Sequence, residues 1–371
     1  MKTVKPAFFA VTVFLCGTLY AENIKPFIMP SARAAGFGGI HAAQGDDFSS
    51  LFSNPASFVG IEKQFSAAEL SISLYGPVFE LLDLAVNSSG TVNISPLVGP
   101  GGFAAGFDIG GPVAFGWVGG GLGVGIFNRT TTDARVTSAR IRPVAAEEIL
   151  LLGGYSFRVV DELNHKLDLG FLGKGYYRGM LDLESSILNV TEMFDDMGSR
   201  PFETHFGLGL DLGINYSFAG KLTLALAGYD VFSPALVTRY GAFSDYGSGG
   251  RRDYATVTPR LALGALYRIQ NDFLDRYLSD FIVMLDYRDV LDPFVSLIPR
   301  NPILNISLGA EIKLLEILSV RAGIAEALPA LGFGLDMKIL QFDFAMRGKE
   351  IGLDPGVQSV YAIDIGFLFR Y

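Results

Sequence analysis

Apolar and polar residues alternate with a period of two along much of this 371-residue chain. From 205 to 218 the even positions are Phe, Leu, Ile or Tyr, whereas the odd positions are His, Gly, Asp, Asn or Ser. Residues 304–314, 331–339 and 340–346 repeat the pattern, and all charges of a segment fall in one phase. Successive side chains of a strand point to opposite faces, so each segment predicts a strand with one apolar and one polar face. A helix would place these charges at 3.6-residue spacing instead.

Residues 360–371 alternate in the same way, with aromatic and aliphatic side chains in one phase and both charges in the other. A soluble edge strand with such a bare apolar face would invite aggregation. A barrel strand in an outer membrane needs this face against lipid and a polar face toward the lumen. We therefore predict that 360–371 is the closing strand of a membrane barrel. Its alternate aromatics resemble the C-terminal signal by which such barrels are recognised for insertion: Phe367, Phe369 and Tyr371.

Weaker alternation in nine further stretches brings the total to about fourteen predicted strands. A β-sandwich would also alternate, but its exposed faces should be rich in Lys, Glu and Thr. Here the polar phase is mostly Gly, Ala and Ser, which suits a crowded lumen. The predicted fold class is all-β, a transmembrane antiparallel β-barrel. The nine stretches are 66–75, 103–110, 113–127, 147–159, 166–178, 221–229, 257–269, 280–288 and 317–325.

Four long connections are predicted between these strands. Residues 181–197 combine apolar and acidic positions as a short amphipathic loop helix would, although a coiled loop fits them as well. Residues 243–254, with three glycines and two arginines, read as a flexible exposed loop. In outer-membrane barrels the longer loops face outside and the short turns face the periplasm. The predicted long connections are 76–102, 128–146, 182–204 and 230–256.

Composition narrows the function classes. Net charge is −9, which argues against a nucleic-acid partner, because such a partner requires a basic patch. Half of the residues are hydrophobic, and 45 are glycine. Glycine normally weakens a strand interior, so its abundance predicts bends, close backbone approach or crowded packing in the lumen.

The N-terminus has the pattern of a secretory signal peptide. Lys2 and Lys5 precede an apolar stretch at 7–15, and cleavage is predicted after Ala21. Leu19, at the −3 position of this cleavage site, is larger than the small residue usual there. A membrane anchor is the alternative, but the apolar stretch is well short of the roughly 20 residues that a helical span needs.

The only cysteine, Cys16, lies within this predicted signal. A lipoprotein acceptor is the alternative reading, and Leu15 disfavours it because a small residue is expected before such a cysteine. Once the signal is removed the chain has no cysteine. That excludes a disulfide scaffold, a thiolate zinc site and a cysteine nucleophile.

Residues 31–58 are rich in small residues and lack strand alternation. They could form a periplasmic tail or a plug inside the lumen, and the aromatics Phe48, Phe52 and Phe58 favour the plug. Within this stretch Asn54-Pro55-Ala56 predicts a fixed turn, since proline sets its own φ and the asparagine amide can bond nearby backbone. An ordinary Asn-Pro turn without a gating role is the alternative.

Three features of this stretch resemble the FadL family of outer-membrane transporters for hydrophobic compounds, most closely its spirochaetal (treponemal) branch. They are the Arg-Ala-x-Gly-x-Gly-Gly pattern at 33–39, Asp46-Asp47, and Asn54-Pro55-Ala56. Ser57 departs from the glycine that commonly follows in the family. The resemblance implies a fourteen-stranded barrel plugged by an N-terminal hatch that contains the Asn-Pro-Ala motif. The expected domains are a signal peptide (1–21), a hatch segment (22–62) and a barrel (63–371).

The chain offers little for catalysis, and no enzyme activity, cofactor or metal is expected. His41, His165 and His205 are widely spaced without an HExxH arrangement, and each is expected to be structural or lumenal. No Gly-x-Ser-x-Gly elbow is present. The glycines of 119–125 lack nucleotide-loop spacing and are read as lining a strand.

Eleven charged residues fall in predicted inward phases, and most are expected to pair across the lumen or with the plug. An Arg or Lys among them could instead hold a fatty-acid carboxylate at the end of an apolar pocket. These residues are Asp108, Asp211, Glu311, Lys313, Arg321, Asp336, Lys338, Asp343, Arg347, Asp364 and Arg370.

The sequence thus predicts a FadL-like channel of the bacterial outer membrane, exported through the periplasm. It would admit long-chain fatty acids or other hydrophobic small molecules by passive diffusion. Expected partners are that ligand, outer-membrane lipid and the barrel-assembly machinery. An adhesin or assembly-partner barrel that acts through its surface loops is the alternative.

Overall fold

The computed structural model describes residues 22–45, 47–78, 102–186, 197–270, 278–296 and 298–370. Fourteen antiparallel strands form one sheet, and the last strand pairs with the first, which closes the barrel. The strands are β1 (Gln64–Gly76), β2 (Phe103–Gly119), β3 (Leu122–Val136), β4 (Arg140–Asp161), β5 (His165–Asp182), β6 (Phe202–Phe218), β7 (Leu222–Phe232 and Pro234–Tyr240), β8 (Arg251–Val257 and Arg260–Arg268), β9 (Leu278–Tyr287), β10 (Ile306–Leu314), β11 (Leu318–Ala325), β12 (Leu328–Asp336), β13 (Leu340–Glu350) and β14 (Ser359–Arg370).

Two of the strands are interrupted without leaving the sheet. Both parts of β7 pair with β6, and the two parts of β8 pair with the two parts of β7. Each interruption adjoins a proline, Pro234 or Pro259, which has no backbone N–H to give to the ladder. The closed antiparallel barrel predicted from the alternation is therefore confirmed.

The outer face of the wall is apolar. Leu151, Phe206 and Leu331 lie in outward phases and are 61%, 59% and 65% exposed, while the residues on either side of them in the chain point inward. In water, an apolar surface of this size would be a strong aggregation hazard. It is typical of barrel strands that face lipid.

Two predicted connections are wrong because the strands extend into them. Residues 128–146 belong almost wholly to β3 and β4, which are joined only by 137–139. The outward positions there are polar, with Asn128 and Thr130 bonded to Glu147, so the apolar alternation stops while strand pairing continues. Likewise, Pro234–Tyr240 and Arg251–Val257 are strands. The connection predicted at 230–256 and the loop predicted at 243–254 are therefore reduced to residues 241–250.

Several predicted boundaries also change. The strand predicted at 113–127 joins the end of β2 to the start of β3, and a turn at Gly120 and Gly121, with φ of 58° and 87°, separates them. The glycine-lined strand predicted at 119–125 is therefore partly this turn. Residues 304 and 305 belong to a 3₁₀ turn, Pro302–Asn305, rather than to β10. Most of the connection at 76–102 and of the amphipathic stretch at 181–197 lies outside the described residues.

The N-terminal segment, residues 22–62, runs inside the barrel. A short strand, Glu22–Ile24, pairs in parallel with residues 255–257 of β8. Helix α1 (Ala32–Gly36), which begins after the capping residue Ser31, contacts β11, β12, β13, β14 and β1. Helix α2 (Ser50–Ser53) leads into a 3₁₀ turn, Pro55–Gly60, that contacts β2 to β6. The buried core lies between this segment and the inward faces of the strands.

The two ends of the barrel differ. At the end where β1 begins, β2 and β3, β4 and β5, and β6 and β7 are joined by turns of two or three residues. The opposite end carries the connections at 241–250, 288–305 and 351–358. We call it the long-loop end. No helix in the described part of the chain is both long and apolar enough to cross a membrane.

Candidate functional site

Eight inward-facing glycines of the wall lie where the N-terminal segment approaches most closely. Each lacks the Cβ atom that would collide with the segment's backbone or rings. A Cβ on Gly332 would lie 2.8 Å from the Gly36 Cα, and one on Gly264 would lie 2.9 Å from the Ala43 nitrogen. We call the set the glycine ring: Gly116, Gly123, Gly170, Gly213, Gly264, Gly309, Gly323 and Gly332.

The Asn-Pro-Ala motif sits against two members of this ring. The Asn54 side chain is fully buried, and its Oδ1 accepts a hydrogen bond from the Ala56 N–H at 3.0 Å. Its Nδ2 donates to Asn215 Oδ1 at 2.8 Å and to the Ala42 carbonyl at 3.1 Å. The side chain therefore closes the turn and ties it both to β6 and to an earlier part of the segment.

Ser57, where the family pattern has glycine, adds another tie. Its Oγ accepts a hydrogen bond from Asn215 Nδ2 at 2.8 Å. Asn215 thus bonds the turn through both ends of its amide. At Gly170 and Gly213 the wall approaches this turn so closely that Cβ atoms there would lie 2.5 Å and 2.8 Å from the Ala56 nitrogen.

A buried ion network holds α1 against the opposite wall. Arg33 pairs with Asp47 and, at 3.0 Å, with Glu311 of β10. Arg321 of β11 pairs with Glu311 and with Asp343 of β13, each at 2.5 Å. Burial alone would raise the pKa of the Asp47 carboxyl, but Arg33 and hydrogen bonds from Ser49 outweigh it and hold that pKa below its ordinary value. Asp47 therefore stays charged at neutral pH.

His41 makes a third attachment. Its Nδ1 bonds Asp286 of β9, and its Nε2 donates to the Phe37 carbonyl at 3.1 Å. The other oxygen of Asp286 accepts from the Ala42 N–H at 2.7 Å. Both His41 and Asp286 are shielded from solvent, which places this histidine in a structural position.

The predicted inward charges are mostly brought into pairs. Besides the network around Arg321, the inward carboxylates Asp108, Asp211 and Asp364 each meet a cation within 3 Å: Arg129, Lys174 and Arg347, respectively. Lys313 lies 3.7 Å from Asp336.

Two of the predicted inward charges differ from expectation. Lys338 was expected inside, which is wrong, because it lies exposed in the turn between β12 and β13 with φ of 69°. The side chain of Arg370 is outside the described set.

Three charged residues of the site are absent from the predicted set of inward charges. Lys174 lies in the same phase as the buried Leu172 and Tyr176, so the alternation itself could have identified it. Arg33 and Asp47 lie in a segment without periodicity, where only the family-like motif marked them.

A cavity of about 390 Å³ lies between the N-terminal segment and the long-loop end. One side of its lining is apolar, with Phe27, Met29, Ile40 and Phe52 of the segment. Its charged lining has seven cations and five carboxylates: Arg129, Lys174, Arg260, Arg288, Arg300, Arg347 and Lys349 against Asp108, Asp211, Asp289, Glu326 and Asp364.

Two of these cations lie against aromatic rings. Lys349 Nζ is 3.8 Å from the centre of the Tyr75 ring, and the Arg260 guanidinium is 5.2 Å from that of Tyr229. Within the described ranges, neither has a carboxylate oxygen within 4.0 Å. The cavity therefore offers cationic groups with free bonding capacity beside an apolar surface.

Connection 288–305 lines this cavity and is bonded to connection 351–358. Arg300 in connection 288–305 bonds Glu326 at 2.9 Å, and Asn301 Nδ2 donates to Asp354 in connection 351–358 at 3.0 Å. The buried Glu350 carboxylate accepts three backbone N–H groups of that second connection, from Gly352, Gly356 and Gln358, at 2.7–2.8 Å. These bonds tie two connections into one cover.

The wall itself has a local break between β1 and β2. Their pairing stops after Ser66–Gly116 and resumes at Ser71–Gly110, so residues 67–70 and 111–115 face each other without ladder bonds. Met29 and Pro30 of the N-terminal segment lie at the inner side of this break, where a Cβ on Gly110 would be 3.0 Å from the Met29 sulfur. A smaller cavity of about 50 Å³, lined by Met29, Glu69 and Leu368, adjoins it.

One question concerns possible metal ligands in the described portion of the chain. That portion contains no group of three or more His, Cys, Asp or Glu side chains with the spacing of a metal site.

No protein-family model and no curated protein sequence matches the chain. Among solved structures it is similar to the CymD monoaromatic hydrocarbon channel, with 14% identity, a TM-score of 0.50, and coverage of 94% of this chain and 98% of that one. The Ralstonia pickettii toluene transporter TbuX is 13% identical, with a TM-score of 0.49 and coverage of 95% of this chain and 99% of that one. A Pseudomonas aeruginosa FadL homologue is 14% identical, with a TM-score of 0.46 and coverage of 94% of this chain and 98% of that one. At this identity the likeness to CymD shows a shared fold, the closed fourteen-stranded barrel.

Proposed function

We propose that the protein is a bacterial outer-membrane channel for hydrophobic small molecules that carry a carboxylate, long-chain fatty acids above all. The observation that carries this proposal is the cavity in which apolar side chains adjoin cations with free bonding capacity. A pocket of this size that sets placed charges beside an apolar surface suits an amphipathic ligand. Transport would be passive, because diffusion through the barrel needs no covalent step.

The outer surface and the two terminal segments support this location. The apolar outward face suits lipid, and residues 1–21 would direct export through the periplasm. Phe367 and Phe369 lie in the outward phase of β14, as an insertion signal read by the barrel-assembly machinery requires. Tyr371, the third residue of that signal, lies outside the described residues.

In this proposal residues 22–62 act as a hatch. The ligand would enter under the cover at the long-loop end and rest in the 390 Å³ cavity, whose floor is the N-terminal segment. Two exits adjoin that floor: the wall break beside Met29 and Pro30, and the lumen below the segment once it shifts. The resemblance of the Asn-Pro-Ala region to the FadL-like pattern supports this role for Asn54, Pro55 and Ala56.

Uptake by the refolded protein in liposomes tests the proposal. We expect saturable binding of a long-chain fatty acid, competition by related carboxylates, and measurable entry into the vesicles. Deletion of residues 31–58 should remove the cavity floor and abolish saturation while leaving the barrel permeable to solutes that the intact protein excludes. Absence of uptake by the intact protein, or binding indifferent to competing lipids, would contradict the channel.

Lys349→Met tests the role of the cavity cations. Loss of a hydrogen bond to a charged group costs about 1.5–3 kcal/mol, so fatty-acid affinity should fall about tenfold or more. The affinity for the corresponding neutral alcohol should hardly change. Lys338→Met, which removes the same charge from an exposed turn, is the control and should leave both affinities unaltered. Equal loss for acid and alcohol would assign Lys349 a packing role instead.

A further inference from the structure

The break between β1 and β2 is part of a wider irregularity of the wall. The pairing of β1 with β2 omits residues 67–70. In the next pair, β2 and β3, the register shifts between residues 110 and 114, and the pair β14 and β1 shifts at 369–370. Each shift interrupts the regular ladder of hydrogen bonds. Three successive strand pairs are therefore joined by fewer bonds at this place than continuous ladders would provide.

Glu69 is the charged residue of the stretch that the ladder omits. It lies in the inward phase of β1 with the buried Ser71 and Ser73, and it lines the cavity of about 50 Å³ at the inner side of the break. Its Oε1 accepts a hydrogen bond from the Ser71 hydroxyl at 3.2 Å. Among the described residues, no basic side chain lies within 4.0 Å of its carboxylate.

The other two carboxylates that line this small cavity are paired with arginines. Asp47 pairs with Arg33, and Asp343 pairs with Arg321 at 2.5 Å. Each of these arginines also bonds a third carboxylate, on β10. The two cations thus already face three anions, and the fourth carboxylate, that of Glu69, adds to the negative charge at the break.

A ligand head that enters the break comes beside the Glu69 carboxylate. A carboxylate or sulfonate head would bring a second negative charge next to it, and like charges at close range repel strongly in a medium less polar than water. A hydroxyl or N–H head instead offers the carboxylate a hydrogen-bond donor. Anionic heads find cations elsewhere, since Arg260 and Lys349 line the larger cavity.

We propose that Glu69 determines specificity at the wall break, which it opens to uncharged or cationic hydrophobic ligands and closes to anions. The ligand class for this exit is a hydrophobic compound whose head donates a hydrogen bond, such as a long-chain alcohol or a protonated fatty acid. An ionised fatty acid is kept from the break and leaves through the lumen below the N-terminal segment. The inference rests on the channel proposed above and assigns a different cargo to each of its two exits.

Thiol labelling beside Glu69 tests this charge selection. Residues 22–371 contain no cysteine, so Leu368→Cys, opposite Glu69 on β14 and in the lining of the same cavity, gives a single thiol. Its rates of reaction with an anionic sulfonate reagent and with a neutral reagent of similar size are measured on refolded protein in vesicles. Mildly alkaline buffer keeps carboxylates ionised. Ile28→Cys is the matched control, because Ile28 is 43% exposed and lines the larger cavity instead.

At Leu368→Cys the anionic reagent should react about tenfold more slowly than the neutral one. Adding Glu69→Gln should make the two rates nearly equal, whereas Glu69→Asp, which keeps the charge, should preserve the difference. The ratio at Ile28→Cys should not respond to Glu69→Gln. If Glu69→Gln does not fold, the ratios at the two cysteines in the parent background carry the test. Equal rates at Leu368→Cys, a ratio that Glu69→Gln leaves unchanged, or no reaction with either reagent would overturn the charge selection.

Transfer of ligands into vesicles separates the charge selection from the channel itself. An alkyl sulfonate and the alcohol of the same chain length are compared, each as the rate above that of protein-free vesicles. Glu69→Gln should raise the rate for the sulfonate about tenfold and hardly change the rate for the alcohol. If the parent transfers the alcohol but Glu69→Gln leaves the sulfonate rate unaltered, the channel stands and the charge selection is overturned. If the parent transfers neither ligand, the channel fails instead.

Discussion

Replacing Arg321 by methionine is expected to lower the free energy of unfolding by about 3–5 kcal/mol, the usual effect of removing one partner from a buried ion pair. The Arg321 side chain is 2% exposed and pairs with both Glu311 and Asp343. Methionine has similar length but no charge, so two buried carboxylates would lose their cation and only Arg33 would still face Glu311. Urea unfolding in lipid vesicles, followed by the fluorescence of Trp117, measures the change.

Arg142→Met is the matched control for this experiment. Arg142 also pairs with a strand carboxylate, Asp182, but its side chain is 59% exposed. An exposed pair contributes about 0–1 kcal/mol, so this variant should unfold almost as the parent does. A loss at Arg321 no larger than that at Arg142 would show that the network is solvated and does not hold the N-terminal segment.

The outward half of the fold could be predicted because its apolar positions follow a simple rule. A strand with one apolar and one polar face alternates with a period of two, as strands that cross lipid do. The segment 331–339 shows it, since Leu331 and Phe333 are exposed on the outside while Gly332 and Gly334 face in. The rule fails where the outward positions become polar while strand pairing continues, and for this reason the sequence predicts a connection at the ends of β3 and β4.

The interior could not be predicted in the same way, because it follows contacts and not periodicity. His41 and Asp286 are 245 residues apart, and neither position is marked by the alternation as a member of a pair. Asn54 and Asn215 bond through side chains whose partnership depends on how far the turn enters the barrel. The Asn-Pro-Ala turn and most of the inward charges could be predicted, but the strand that each would meet could not.

The high glycine content is explained by the contact between the wall and the N-terminal segment inside it. Glycine weakens a strand, and this cost is tolerated where another backbone must come close. The glycine ring follows the N-terminal segment from β2 and β3 through β5, β6 and β8 to β12, and the rings of Phe37, Phe48 and Phe58 use the space it leaves. The segment and the wall are therefore complementary in shape as well as in charge, so moving one without the other leaves cavities or collisions.

Gly170→Ala is expected to displace the Asn-Pro-Ala turn from the wall. The new methyl group would lie 2.5 Å from the Ala56 nitrogen and closer still to the Pro55 carbonyl, and both are backbone atoms that cannot rotate away. Overpacking of this kind typically costs about 1–3 kcal/mol, most of which would fall on the attachment of the turn rather than on the strand. Ion conductance across planar bilayers should rise, and proteases should cut the segment faster.

Gly153→Ala separates this effect from a general response of the strands. Gly153 lies on the outer face of β4, where an added Cβ would have no neighbour nearer than 3.9 Å. Since alanine also restricts the unfolded chain more than glycine does, this variant should be as stable as the parent and equally closed. If Gly170→Ala keeps the parent's conductance and protease resistance while folding normally, the turn does not seal the lumen, and the attachment through Asn54 and Asn215 is only structural.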